Sequence, residues 1–419
     1  MATGNNQAGL AAQLEAMHSQ LELLLLEESV LWSQVEKADD VTVVGTRPMR
    51  VPYQTATGGL FGVFNPDGAD MGTGSGPQEV PAYISSAWYL QASQYTALAE
   101  YATDSDKKAI KNYVTLTHEQ AFTTFPGYMD VQATQNGSNT IDTIVAVGSG
   151  YLQVNQANAF QTNQLFDVWS AIGGTKIATG LQVLNGDPAT NYVWTTSAIP
   201  VGVTAGMVCT VYGSTGQANS GFFGLQYFNT NLNVGNFLGV QRSSYPGLFT
   251  AQGVNLNGGQ LTPGAVRAMQ VSGMFAMGER YVAGRAVAHC APDQQAAWEN
   301  NFLPVQTYNV AQEKRSTSSD MLPGNMPGSI GGRPFLVNRR APLGRIDFID
   351  LNNLAKVETK AADYYSVNGQ TVFPVIGESG GIQSQNLFYI VYGGNMFMRN
   401  PRLSTYITNA AIPRFVAGH

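Results

Sequence analysis

The sequence predicts an α+β fold on three observations. Residues 8–38 and 104–125 carry apolar side chains at three- and four-residue spacing, which is typical of helices that bury one face. Residues 138–260 consist of short β-like runs separated by glycine, asparagine and proline. A further group of strand-like runs occupies 345–398. Two helical blocks and two strand blocks therefore make up most of the chain.

The composition narrows the functional classes. The 419 residues are 44% hydrophobic but only 12% charged, about half the charge content of an ordinary globular protein. A surface of this kind repels copies of itself weakly, which suits a chain that meets many copies and also suits secreted β-rich proteins. The net charge of −6 argues against a dedicated nucleic-acid binder, because phosphate contacts need a basic face.

Cysteine usage and the N-terminus indicate a protein that is made and used without export. Cys209 and Cys290 lie far apart and form neither a metal-type spacing nor a disulfide framework. The first residues lack a basic region, so no signal peptide is expected. The apolar run 23–26 is too short to span a bilayer, which takes about 20 residues.

The helix predicted over 8–38 carries one apolar stripe. Its members are Leu10, Leu14, Met17, Leu21, Leu24, Leu31 and Val35. Because the helix precedes any globular pattern, the stripe needs a partner surface, either on its own chain or on another subunit. Leu14, Leu21, Leu24 and Leu31 are the candidate contact residues. The β-rich stretch after it contains Pro48 and Pro52, which confine it to an edge or an extended path.

Residues 56–83, "ATGGLFGVFNPDGADMGTGSGPQEVPAY", form a glycine-rich loop without lysine or arginine. Its seven glycines between positions 56 and 76 indicate an extended, hinged segment, with Gly58 and Gly59 at its start. Leu60, Phe61 and Phe64 are candidate anchors, because apolar side chains on an exposed loop need a partner surface.

The same loop has two alternative interpretations. Its "GTGSG" lacks the lysine and the following helix of a phosphate-binding loop, which excludes that class. Asn65, Asp67 and Asp70 carry calcium-type ligands but lack EF-hand spacing, so turn formation is the favoured role of these side chains.

A second helix is predicted from Asp104, the candidate N-cap, to Phe125. Its apolar face comprises Ile110, Tyr113, Val114, Thr117, Ala121, Phe122 and Phe125. Pro126-Gly127 is expected to end it. A helix of this length spans roughly 33 Å and forms a structural spine.

Further elements are predicted downstream. "LTPGAVRAMQVSGMFAMG" is typical of a helix, "RAVAHC" of a buried strand, and "PDQQAAWENN" of a helix starting near Pro292. Residues 316–334 have the composition of a loop or linker. Asn368-Gly369 between two apolar runs is the strongest hairpin signal in the chain.

No residue pattern indicates catalysis, a cofactor or a metal. His118 in "HEQAF" lacks the second histidine of a helical zinc site, so an exposed helix position is expected. His289 and Cys290 point to opposite faces of a strand and do not form a nucleophile pair. Asp347 and Asp350 are separated by odd spacing and also face opposite ways. We therefore expect a protein that is not an enzyme.

Four arginines form the one basic concentration: Arg333, Arg339, Arg340 and Arg345. They either lie on a solvated loop with ordinary ion pairs or form salt bridges to a neighbouring subunit. Arg339 and Arg340 are the candidate contact residues.

Several phrases resemble a tailed-bacteriophage major capsid protein of the Hong Kong 97 type. These are "RPMRVP" before the loop, "GGLFG" and "DGADMGTGSG" within it, and "LAEYATDSDKKAI" opening the spine helix. "RIDFIDLNNLAKVETKAADYYSVNGQTVF" and "FYIVYGGNMFMRNP" match its C-terminal part. The resemblance covers most of residues 40–410. Between about 140 and 250 it is limited to the general pattern of short β-like runs.

The resemblance implies the following organisation. An N-terminal helix and arm (1–53) precede an extended loop (54–92) and a peripheral domain with the spine helix (93–137). A mainly axial domain (138–340), peripheral strands (341–398) and a C-terminal segment (399–419) follow.

The resemblance also implies a function and partners. Such proteins assemble into hexamers and pentamers that close an icosahedral shell around packaged double-stranded DNA, without sequence-specific binding. This places the chain in the virion, assembled in the host bacterial cytoplasm with no membrane contact. A scaffolding protein, a portal and a decoration protein are further partners consistent with the family.

Two departures from the family pattern carry consequences. No lysine occurs between Lys37 and Lys107, so the isopeptide cross-link that some members form from this loop is not expected. Many family members carry a cleaved N-terminal scaffolding domain, whereas only about 40 residues precede the arm here. A separate scaffolding protein or none, without maturation cleavage, is therefore expected. An encapsulin-like compartment and a secreted carbohydrate-active enzyme are the alternative functions.

Overall fold

The computed structural model describes residues 29–38, 48–61, 73–102, 113–283, 286–301, 329–377 and 381–412. Within them the chain forms a two-stranded hairpin, a four-stranded sheet, a closed six-stranded barrel, a mixed six-stranded sheet and a minor two-stranded pair. Seven α-helices accompany these strands in the described ranges. The predicted α+β class is confirmed.

The helices are α1 (Leu31–Gln34), α2 (Ala97–Ala102), α3 (Tyr113–Thr134), α4 (Leu225–Phe228), α5 (Pro263–Met277), α6 (Glu279–Ala283) and α7 (Pro292–Asn300). Short 3-10 turns cover Ala157–Ala159, Arg242–Ser244, Leu351–Asn353 and Pro401–Leu403.

The strands before the mixed sheet are β1 (Met49–Ala56), β2 (Gln78–Ile84), β3 (Ala87–Thr96), β4 (Thr140–Val147), β5 (Tyr151–Val154), β6 (Leu165–Trp169), β7 (Lys176–Asp187), β8 (Tyr192–Thr195), β9 (Val208–Val211), β10 (Asn236–Phe237) and β11 (Val240–Gln241). The others are β12 (Gln252–Asn255), β13 (Ala286–Cys290), β14 (Ser329–Ile330), β15 (Arg333–Val337), β16 (Ile346–Asp350), β17 (Leu354–Tyr364), β18 (Val372–Ile376), β19 (Ile382–Met398) and β20 (Thr405–Thr408).

The four-stranded sheet is built around β19, which has 17 residues. β3 pairs antiparallel along one side of β19, while β17 and β18 pair with successive parts of the other side. Residues 87–92, assigned from the sequence to the end of the extended loop, therefore lie in this sheet. Phe388, Ile390 and Tyr392 alternate on its buried face, and α3 packs there, with Phe125 near Tyr392.

α3 extends beyond the end that the sequence predicts. The predicted stop at Pro126-Gly127 is wrong, because Pro126 lies inside the helix and the last residue is Thr134. A proline in a helix interior costs roughly 3 kcal/mol. Burial of the following turn outweighs that cost. Met129 packs in the main core, the apolar cluster that includes the buried face of β19, and Val131 packs in the apolar cluster inside the barrel of β4–β9. Asp104, the predicted N-cap, lies outside the described residues.

Gly127 allows close packing instead of ending the helix. A Cβ atom at this position would lie 2.7 Å from Nε2 of Gln161 and 2.9 Å from Nη2 of Arg340. Both distances are shorter than any normal contact of a side-chain carbon. The glycine therefore lets two buried polar side chains reach the helix backbone.

Residues 140–211 close into a barrel in the order β4-β5-β8-β7-β6-β9. Every neighbouring pair is antiparallel, including β4 with β9, which closes the ring. Inward-facing residues such as Leu152, Phe166, Val183 and Val193 are fully buried. The sequence predicts the short strands of this region but not their closure, which depends on pairing between its two ends.

The mixed sheet has the order β12-β20-β16-β13-β15-β14. The strand predicted at "RAVAHC" is confirmed as β13, which runs antiparallel to β16 and parallel to β15. Both predicted helices beside it are confirmed as α5 and α7, and Thr262 caps α5 by accepting a hydrogen bond from Ala265 N. β14 and β15 also occupy part of the segment 316–334, which the sequence predicts as loop.

The two-residue turn at Asn368-Gly369 is confirmed. Its φ angles are 52° and 82°, and Val367 and Gln370 exchange backbone hydrogen bonds of 2.9 and 3.0 Å. Positive φ at both central positions is the geometry that Asn-Gly favours.

The predicted N-terminal helix ends before residue 38. Helical geometry stops at Gln34, and Val35 is extended with ψ of 119°. Ala38 N then donates to Lys356 O at 2.9 Å, and Lys356 N donates to Glu36 O at 2.8 Å. Pairing with β17 therefore draws the chain out of the helix. We call residues 29–38 the strap; the rest of the predicted helix lies outside the described residues.

The strap is part of the main core. Trp32 packs edge-on against Phe222 and Tyr392, at centroid distances of 5.3 and 5.0 Å. The Lys356 ammonium lies 4.3 Å from the centre of the Trp32 ring and donates to its backbone carbonyl. Desolvation lowers the pKa of Lys356, and these two contacts compensate its charge.

One buried carboxylate joins the strap, α3 and the loop after β15. Asp130 is fully buried, and its Oδ1 accepts hydrogen bonds from Leu31 N at 2.8 Å and Trp32 N at 2.9 Å. Its Oδ2 accepts from Nδ2 of Asn338 at 2.6 Å. The carboxylate thus satisfies two backbone donors at the start of α1, which have no partner within the helix.

A polar network extends from this carboxylate into the mixed sheet. Asn338 lies 3.2 Å from Nε2 of His289, whose pKa burial lowers, so the imidazole is neutral near pH 7. On the same sheet, Asp347 accepts from Nδ2 of Asn229 at 2.9 Å and forms a 2.8 Å ion pair with Arg345. The mixed sheet and the spine helix therefore meet through polar contacts.

Asp130→Ala is expected to lower the free energy of unfolding by roughly 3 kcal/mol or more, because three buried donors lose their acceptor. Denaturant unfolding followed by tryptophan fluorescence measures the change. Asp350→Ala is the matched control, since Asp350 caps only a short surface turn through Asn352 N and should cost about 1 kcal/mol. Equal losses in the two variants would show that the strap does not depend on Asp130.

Candidate subunit-contact surfaces

β1 and β2 form a two-stranded hairpin that pairs with no third strand in the described residues. Pro52 lies opposite Pro81, and both lack a backbone donor, consistent with the predicted extended path. The base of the hairpin is anchored on its own chain, where Tyr53 Oη donates to Met398 O at 2.8 Å. At the other end, residues 59–61 and 73–79 are all exposed.

Glycines fix the backbone where the hairpin leaves its strands. Gly59 N donates to Ser75 O at 2.6 Å, and φ is 71° at Gly58 and 90° at Gly59. A Cβ atom on Gly58 would lie 2.5 Å from the carbonyl carbon of Gly76. Both the positive φ angles and the close approach of the two hairpin segments therefore require glycine at this point.

The two side chains that follow the glycines are exposed. Leu60 is 61% exposed and Phe61 is fully exposed. Phe64 and Asp67 lie outside the described residues. Of the predicted loop anchors, the structure thus brings Leu60 and Phe61 together at the described tip, directly after the two glycines.

The remaining candidate contact residues divide into two groups. Leu14, Leu21 and Leu24 lie outside the described residues. Leu31 is fully buried in the main core of its own chain, so the intrachain alternative holds for this residue and it is not available to a partner.

The arginine concentration is mostly internal. A solvated position is wrong for the buried Arg333 and Arg340, whereas the expected ordinary ion pair is present at Arg345. Arg340 is 2% exposed, and its guanidinium packs on Gly127. Arg345 pairs with the buried Asp347, and Arg333 stacks on an aromatic ring. Arg339 and Arg345 are both partly exposed, and Arg339 stays a candidate contact residue.

Sequence reasoning missed a second exposed apolar surface, on α5. Val271, Met274 and Phe275 are 38, 50 and 88% exposed and lie on one helical face. Val266 and Met269 on the opposite face are buried. The signal was the continuation of apolar residues around the helix, beyond the single stripe that one buried face needs.

The histidines and cysteines have structural roles. His118 is not an exposed helix residue as predicted: its ring stacks 3.8 Å from Phe388, and Nδ1 lies 2.8 Å from Oη of Tyr364. Burial raises the pKa of the Cys290 thiol to about 12, which leaves it protonated and unreactive. Among the described residues, no three metal-ligating side chains cluster.

A polar cleft of about 580 Å³ lies between the barrel, the end of α3 and the start of α7. Asp142 and Asp293 line it, and burial raises the pKa of both carboxyls, that of Asp142 to about 6. Hydrogen bonds from Gln156 N at 2.6 Å and Thr143 N at 2.7 Å partly offset the burial of Asp142.

Comparison with solved structures places the whole architecture. The capsid asymmetric unit of cyanophage A-1(L) matches with a TM-score of 0.51 at 13% identity, over 94% of this chain and 96% of that chain. The capsid of the native GTA particle matches with a TM-score of 0.50 at 10% identity, over 95% of each chain. This chain has the Hong Kong 97-type capsid fold.

The resemblance stated from the sequence is thus confirmed at the level of the fold. The sequence matches no protein-family model and no curated protein. The encapsulin of the holo-SrpI complex from Synechococcus elongatus is similar at a TM-score of 0.46 and 8% identity, over 98% of this chain and 97% of that chain. Within the described part of this capsid fold, no helix is long and apolar enough to cross a bilayer.

The raised pKa of Asp142 makes a defined contribution to the pH dependence of stability. The folded state binds this proton near pH 6 and the unfolded state near pH 3.8. Stability from this group therefore falls as pH rises from about 4 to 6, and the burial penalty is complete above that range. Asp142→Asn should remove this dependence of the free energy of unfolding on pH.

Relative to that of the native chain, the free energy of unfolding of the variant is expected to rise by about 2 kcal/mol between pH 4 and pH 7.5. Differential scanning calorimetry of both proteins across this range measures the difference and cancels contributions from other groups. A constant offset between the two stability curves would contradict the assignment.

Proposed function

We propose that this chain is the major capsid protein of a tailed bacteriophage. It self-assembles into hexamers and pentamers that form the icosahedral head shell around packaged double-stranded DNA. The capsid fold over about 95% of the chain supports a shell role. The observation that carries the proposal is the hairpin of β1 and β2, whose described end carries the exposed apolar side chains of Leu60 and Phe61.

The hairpin tip has the properties of a surface that a neighbouring copy covers. Leu60 and Phe61 expose apolar area to water. Burial of such side chains is worth roughly 1.5–3 kcal/mol each, which favours a contact. Gly58 and Gly59 let the hairpin change direction, so that one arm can follow the surface of the next subunit.

The contact is heterologous. A projecting tip and the surface that receives it are different parts of the chain, so successive copies associate head to tail and close into rings. Rings of five and six copies meet the geometric needs of a closed shell. Since the stretch between Lys37 and Lys107 contains no lysine, the tip holds by packing and not by an isopeptide bond.

Further parts of the proposal follow from the shell role. The shell encloses DNA without sequence-specific contacts, which agrees with a net charge of −6. The chain acts as a structural subunit in the virion and not as an enzyme, and it assembles in the host bacterial cytoplasm. A scaffolding protein, a portal and a decoration protein are its expected partners.

Electron microscopy of the expressed protein tests the proposal. Uniform shells, capsomers or tubes are expected, and deletion of residues 58–76 should leave a folded monomer that fails to assemble. Folding of the deletion variant is established separately by circular dichroism. Normal shells from that variant would show that the hairpin tip has a different role.

A point variant isolates the two tip side chains. Leu60→Ser with Phe61→Ser should abolish shell formation or slow it at least tenfold, with an unchanged melting temperature, because both side chains are exposed in the monomer. Val201→Ser is the matched control, since Val201 is equally exposed on a turn of the barrel. Light scattering during assembly measures the rate, and equal rates in both variants would refute the tip as the contact.

A further inference from the structure

The polar cleft beside the barrel is dominated by amide side chains. Its lining includes Gln135, Gln153, Asn155, Asn158, Asn191 and Gln226. Charged groups are few, namely the carboxylates Asp142 and Asp293 and the guanidinium of Arg339. Its volume of about 580 Å³ lies within the range of roughly 300–1,000 Å³ that small-molecule sites occupy.

Hydrogen bonds hold several of these amides in place. Gln135 Nε2 donates to Ile141 O at 2.9 Å, and Gln226 Nε2 donates to Gln135 Oε1 at 3.4 Å. Asn155 Nδ2 donates to Asp142 Oδ1 at 3.2 Å. Each amide has both a donor and an acceptor group, and these bonds use only part of that capacity. The cleft therefore offers donors and acceptors in mixed order.

Three aromatic rings lie on the outer face of β5 and β8, and β5 also contributes Gln153 to the cleft. Tyr151 stacks on Tyr192 at a centroid distance of 4.4 Å and contacts Trp194 at 5.0 Å. Trp194 is 40% exposed. Tyr192 is paired in register with Gln153, which also lines the cleft, so rings and amides adjoin on β5 and β8. We call these three rings the aromatic lip.

Charge and polarity restrict what can occupy this surface. Two carboxylates against one guanidinium disfavour phosphates, nucleic acids and other anions. A purely apolar ligand would leave the amides of the cleft without hydrogen-bond partners, which is costly. A neutral polyhydroxy compound fits both parts: its hydroxyl groups donate and accept, and the C–H faces of its rings can cover aromatic side chains.

We propose that the cleft and the aromatic lip together bind a neutral oligosaccharide. Amides and the Asp142 carboxylate hold the hydroxyl groups, and the exposed face of Trp194 supports a sugar ring at the entrance. The site lies within the barrel and its immediate neighbours on one chain. It is therefore complete in a single subunit and does not depend on the proposed shell role.

Isothermal titration of maltohexaose, cellohexaose, chitohexaose and mannohexaose into the full-length protein tests the inference. At least one sugar is expected to bind with one site per chain. Trp194→Ala and Gln153→Ala should each weaken that binding at least tenfold, because they remove the ring support and an amide that links lip and cleft. Tyr212→Ala, which truncates an exposed tyrosine elsewhere on the barrel, should leave it unchanged.

Shell formation is scored separately by electron microscopy for each variant and is expected to be normal. Failure of all four sugars to bind would overturn the inference while leaving the shell proposal intact. Binding that all three variants retain would overturn the assigned site. Binding to unassembled protein but not to shells would support the site on the single chain and show that a neighbouring copy covers it after assembly.

Discussion

The buried carboxylate of Asp130 is the constraint on which the relative positions of the strap, α3 and the loop after β15 depend. A single group on α3 holds the first turn of the strap through two backbone donors and Asn338 through a third bond. Because buried polar groups must be hydrogen-bonded, the strap, the spine helix and the loop after β15 hold their positions together. The apolar cores on either side of α3 fill the space that this junction defines.

The distribution of buried and exposed apolar side chains is relevant to the proposed assembly. Most apolar side chains of the strap and the spine helix are buried within the chain, whereas Leu60, Phe61 and one face of α5 are exposed. With few charges on the remaining surface, little electrostatic repulsion opposes association between copies. In the proposed shell, these exposed apolar side chains are candidate contacts between copies.

Errors of the sequence-based interpretation share one cause. Pro126 carries a strong local stop signal, yet burial of the turn after it prevails. His118 and Arg340 are polar and seemed to belong to the surface, but one stacks on a sheet ring and the other packs on Gly127. Each outcome depends on a partner distant in the sequence, which local propensity and charge pattern do not contain.

The sequence by itself determined the α+β class, most strands and helices and the two-residue turn at Asn368-Gly369, since these follow from periodicity and local backbone preference. Tertiary structure alone decided the closure of the barrel, the continuation of α3, the burial of the arginines and the cleft with its aromatic lip. These features arise where segments far apart in the chain meet. The free energy of a long-range contact belongs to both partners and cannot be inferred from either segment alone.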